Sequence, residues 1–156
     1  YRAVVLSNLK YFGPDTGHTD LAPILAGDET NWRAEKLDPA DRAVIRDLYT
    51  PDMDPRDAAA LYWYARNSLY FSRGFAADGR IRLCRYSDLV TRPAETMAQA
   101  YGFLGRPYPG DRIVQDVVTG SRGRGRDLDL SPTVRDLCEG MLIRLAAQAG
   151  TLGRAG

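Results

Sequence analysis

Four prolines of this chain stand where a helix can begin: Pro39 after Asp38, Pro55 after Asp54, Pro93 before an Ala-Glu-Thr run, and Pro132 after Ser131. Proline holds φ near its helical value and lacks an N–H that the first helical turn could not use, so it suits that position and is costly further in. The Asp or Ser in front offers a side-chain oxygen to the free N–H groups of the first turn. Behind each proline, apolar residues recur at helical spacing. After Pro39 these are Val44, Ile45 and Leu48; after Pro55 they are Ala58, Leu61, Tyr62, Ala65, Leu69 and Ser72, with Gly79 as the stop. Met97, Ala100, Tyr101 and Leu104 come after Pro93 and lead to a Gly105 stop, and Val134, Leu137, Cys138, Met141, Leu142, Leu145 and Ala149 come after Pro132 and lead to Gly150. Trp63, Tyr64, Tyr70 and Phe71 lie on other faces of the second helix, which predicts that it is covered on more than one side.

The remaining segments are less regular. Residues 1–12 read as a helix or a strand-to-helix passage ended by Gly13-Pro14. From Asp15 to Pro39 the pattern is aperiodic, which predicts a long surface loop holding the only histidine, His18. Arg80 to Arg85 alternates basic and apolar residues and reads as a strand with Ile81 and Leu83 on one face. No internal repeat is visible, and the Gly-Arg tail after Thr151 is expected to fray.

A length of 156 residues is enough for one domain with a core. The net charge of +1 argues against a general binder of nucleic acid or membrane surfaces, so any anion site must be local. The apolar runs are broken well short of a membrane span and no secretory leader is seen, so a cytoplasmic location is the expectation. The basic residues are arginines except for Lys10 and Lys36. Two cysteines, Cys84 and Cys138, are too few for a disulfide framework or a metal site and are expected to be reduced core residues.

From Arg80 to Gly105 the predicted strand runs through a tight polar corner into a proline-opened helix and a Phe-Leu-Gly exit. Tyr86, Asp88, Leu89, Val90, Pro93, Phe103, Leu104 and Gly105 stand in an order and spacing that resemble the late signature of the sulfotransferases. That family transfers a sulfuryl group from 3'-phosphoadenosine 5'-phosphosulfate (PAPS). The resemblance implies an α/β chain of partial three-layer, nucleotide-kinase-like fold, mostly helical with few parallel strands, and makes residues 1–156 the C-terminal portion of such a domain. It also implies in-line transfer to a hydroxyl or amine of a small-molecule or carbohydrate acceptor, with no metal, nucleic acid or membrane involved.

The same resemblance offers a donor site. Ser7, in Arg2-Ala-Val-Val-Leu-Ser-Asn8, matches the serine that holds the donor's 3'-phosphate, although its partner arginine would lie just before Tyr1. The glycine-spaced segment Ser121-Arg122-Gly123-Arg124-Gly125-Arg126 occupies the place of the family's late basic loop, and Arg122, Gly123, Arg124 and Arg126 are its candidates for the same phosphate. Glycine lets backbone approach an anion and guanidinium forks suit its oxygens. The alternative for Ser7 is an exposed helix residue, and for the basic segment a solvated turn. No phosphosulfate loop is found, and His18 comes after Ser7 where the family's base precedes it, so the catalytic residues are unknown and the chain alone is expected not to transfer sulfate. Trp63, Tyr64 and Asn67 are read as packing residues, Asp88 as a corner residue bonding backbone N–H groups, and Tyr86 as a core wall with its hydroxyl tied down. Two rivals stand beside this reading: a non-catalytic helical module that binds a nucleotide or a protein, and a phosphotransferase of the same broad fold.

Overall fold

A computed structural model describes residues 1–117 and 128–151. Seven α-helices run through them: α1 (Arg2–Phe12), α2 (Thr16–Ala26), α3 (Pro39–Leu48), α4 (Pro55–Ser72), α5 (Tyr86–Thr91), α6 (Pro93–Phe103) and α7 (Pro132–Thr151), with single 3-10 turns at Phe75–Ala77 and Asp111–Val114. Among the described residues there is no strand, which overturns the expected α/β architecture with parallel strands. The described residues fall into two compact units, one from residues 1–78 with 128–144 and the other from 79–117 with 145–151.

In the first unit α4 is the central element, packed by α1, α2 and α3. Its residues Ala58, Ala59, Ala60, Leu61, Tyr62, Tyr64 and Ala65 are all buried, which is the many-sided cover that its aromatic and apolar residues predict. Three consecutive alanines leave little side chain between this helix and its neighbours, and Gly17 of α2 uses the space. A Cβ at Gly17 would fall on the backbone nitrogen of Ala59 and within 2.7 Å of the Ala58 carbonyl carbon. Around this contact Val5, Leu21, Ile24, Ile45, Val134, Cys138 and Met141 complete the core. Removing such side chains from water is worth about 1.5–3 kcal/mol each.

Helix starts agree closely with the sequence. The Asp38 carboxylate accepts from the Ala40 N–H at 2.8 Å and the Asp54 carboxylate accepts from the Arg56 N–H at 2.8 Å, each with proline at the first helical position. The predicted long loop between Asp15 and Pro39 is corrected in its first half, which forms α2. Its low-propensity residues, including Pro23 inside the helix, are overridden by burial of Gly17, Leu21 and Ile24 along one face. Helix α4 stops at Ser72, short of the predicted Gly79, because Gly74 turns left-handed (φ 71°) and a 3-10 turn comes next.

In the second unit α5 packs on α6, and α6 on the 3-10 turn at Asp111–Val114. The segment predicted as a strand, Arg80 to Arg85, enters α5 without regular structure. Alternation of basic and apolar residues supplies the two faces of a strand, but a strand also needs a neighbour for its N–H and C=O groups, and none stands among the described residues. Cys84 is accordingly exposed instead of in the core, while Cys138 is buried as expected. Gly105 leaves α6 at φ 62°, a conformation that favours glycine at this exit.

Candidate functional site

Ser7 lies exposed on α1, as a residue meant for an anion or for plain solvent would. Arg122, Gly123, Arg124 and Arg126 lie outside the described residues, so their part in a donor site rests on sequence. Among the described residues no group of three or more His, Cys, Asp or Glu side chains is arranged to hold a metal ion. No helix among them is long and apolar enough to cross a membrane.

His18 has both ring nitrogens engaged. Its Nε2 is 3.1 Å from the Met53 carbonyl oxygen and its Nδ1 is 3.0 Å from the Tyr49 hydroxyl, with the two rings edge to face at 5.6 Å. A carbonyl only accepts, so Nε2–H donates to Met53, while Nδ1 is paired with the Tyr49 hydroxyl. This arrangement ties α2 to the segment ahead of α4. Both ring nitrogens are thereby held by protein partners.

Other residues singled out in sequence have structural partners. Tyr64 is buried and its hydroxyl donates to the Asp41 carboxylate at 2.6 Å; burial and this bond push the phenol well above its ordinary value. Trp63 is half-buried with its ring 5.5 Å from that of Tyr1, and its carbonyl accepts from the Asn67 amide at 2.8 Å. Tyr86 is 64% exposed, so it forms no core wall. Asp88 is held by charge at the corner, 3.6 Å from the Arg92 guanidinium and 4.0 Å from that of Arg85.

The corner and helix that carry the family resemblance also shape a groove of about 180 Å³. Arg82, Arg85 and Arg92 line it with Asp88 as the one carboxylate among the described lining residues, and Ala100, Phe103 and Leu104 supply apolar surface. The Arg82 guanidinium lies 5.9 Å from the Phe103 ring centroid and donates to two neutral oxygens of Gln99, the backbone carbonyl at 3.3 Å and the side-chain oxygen at 3.5 Å. Gln99 donates in turn to Glu95 at 3.2 Å, and Glu95 also accepts from Arg92 at 3.1 Å. The sequence does not announce this groove. Its linear trace is a cluster of arginines at 80, 82 and 85, in a segment that reads equally well as a strand.

No protein-family model, curated protein or solved structure matches the chain.

Proposed function

We propose that this chain is part of a sulfotransferase that moves a sulfuryl group from PAPS to a hydroxyl or amine of a small-molecule or carbohydrate acceptor, in the cytoplasm. The observation that carries the reading is the register of Tyr86, Asp88, Leu89, Val90, Pro93, Phe103, Leu104 and Gly105. The local geometry of Asp88, Pro93 and Gly105 supports it, while Tyr86 and Leu104 stand exposed. Pro93 opens α6, Gly105 closes it in a left-handed turn, and Asp88 is bracketed by Arg85 and Arg92, so each of these residue types meets a physical requirement at its position.

Sulfuryl transfer needs donor oxygens held by convergent N–H and O–H groups and charge stabilised as the bridging bond breaks. Ser7, with its exposed hydroxyl, and the arginines at 122, 124 and 126 are separate candidate donors to the 3'-phosphate, and the acceptor's base is not assigned to any residue. One observation favours a second reading, a non-catalytic helical binding module: the described residues contain helices and no strand.

Competition of nucleotides for labelled PAPS tests the proposal. Adenosine 3',5'-bisphosphate should displace the label and ATP should not. Displacement by ATP alone would mark a phosphotransferase, and no retention of PAPS would favour the non-catalytic module.

A further inference from the structure

The groove along α5 and α6 carries more positive than negative charge, an apolar floor, and one guanidinium with weak partners. Three arginines face one carboxylate among its described lining residues. Arg92 is occupied by Asp88 and Glu95, and Arg85 stands at the outer range of Asp88. Arg82 differs, because both of its acceptor contacts to Gln99 are long and neutral. A carboxylate brings the opposite charge and two oxygens spaced for the guanidinium fork, which the two long contacts to neutral Gln99 oxygens do not, so an anion arriving at Arg82 has the advantage. Beside that guanidinium lie Phe103 and Ala100, with Leu104 65% exposed to solvent. Bare arginines would suit any small anion, but arginine over a phenyl ring next to open apolar surface suits an anion attached to a flat hydrocarbon body.

We propose that this groove is a binding site for a small aryl carboxylate, whose charged head forks onto Arg82 and whose ring lies against Phe103, Ala100 and Leu104. The site is independent of the donor reading above, since it uses none of the residues assigned to PAPS. It would serve an aromatic acid as substrate or effector. Arg85 and Arg92 draw the anion toward the mouth through their field, while Asp88 holds those two side chains in place.

The chain supplies its own reporter. Cys84 is exposed and lines the groove, whereas the Cys138 thiol is buried and pushed up to about 12 by its desolvation, so a thiol reagent reacts first at Cys84. The rate of Cys84 modification by dithiodipyridine, a neutral reagent, is measured on the intact protein with naphthoate, naphthylmethanol or acetate present, and binding of each is tracked by calorimetry. Naphthoate should bind and slow the reaction saturably, while naphthylmethanol and acetate, each with half of the required chemistry, should do neither. In Arg82→Gln, checked for wild-type helical circular dichroism, naphthoate affinity should fall about tenfold, the loss of one charge-assisted hydrogen bond. Equal binding of naphthylmethanol would overturn the anion recognition. No saturable naphthoate effect would overturn the site, and that comparison is made on the unaltered protein, so it decides even where the variant fails to fold.

Discussion

The buried carboxylate of Asp57, in the first turn of α4, accepts the backbone N–H of Ser131 at 3.0 and 3.3 Å. The two residues are 74 apart in sequence. Ser131 precedes the proline that opens α7, and its own N–H has no use for a helix that has not begun. Asp57 thus ties the entry of α7 to α4. The Cys138 thiol repeats the tie one helical stretch later, 3.6 Å from the Ala60 carbonyl oxygen.

Removing that acceptor should be costly. Asp57→Ala leaves the Ser131 N–H without its partner in a part-buried setting, and a hydrogen bond to a charged group is worth about 1.5–3 kcal/mol. Urea denaturation should show a loss in that range, with Asp57→Asn losing less because its amide oxygen still accepts. A change within about 0.5 kcal/mol, the usual range of surface substitutions, would show that α7 is positioned by apolar packing alone.

Glycines give a paired test of the packing. Gly17→Ala places a methyl group on α4 backbone, which cannot yield as a flexible side chain could, so about 3 kcal/mol of stability should be lost. Gly140→Ala, in the interior of α7 with nothing within 4 Å of the added carbon, should instead add about 0.5–1 kcal/mol through helix propensity. Thermal melts of the two variants should move in opposite directions.

Alkaline pH should unfold the chain through two buried groups. Burial raises the Cys138 thiol from 9.0 to about 12, and burial with the bond to Asp41 raises Tyr64 above its ordinary 10.0. In both cases the folded state holds the proton more tightly than the unfolded state. Their stabilising contribution is therefore complete below the unfolded values and declines as pH rises toward the folded ones. Stability measured against pH should be level up to about 9 and fall between about 9 and about 12. Cys138→Ala should flatten the early part of that fall.

Local chemistry is the part of this fold that is legible in sequence. Asp-Pro and Ser-Pro pairs place helix starts because the cap and the proline act within one turn. Helix α2 is not legible because its reason is tertiary. Gly17, Leu21 and Ile24 keep helical spacing, but the first is a glycine required by contact with α4, and contact cannot be read along one chain segment. Arg80 to Arg85 fails in the opposite direction, since alternation is present and, among the described residues, a partner strand is not. Ser7 is legible as an exposed polar residue under either of its readings. The groove is illegible because Arg82, Gln99 and Phe103 are brought together only by the turn from α5 into α6.

The most direct measurement of the central claim is calorimetry of the protein with adenosine 3',5'-bisphosphate and with adenosine 5'-phosphate. If the chain grips the 3'-phosphate of PAPS, the bisphosphate should bind far more tightly. Arg122→Ala and Arg124→Ala should each weaken it by about 1.5–3 kcal/mol where the arginine makes a charge-assisted bond, with the melting temperature nearly unchanged. Equal affinity for the two nucleotides would contradict the account.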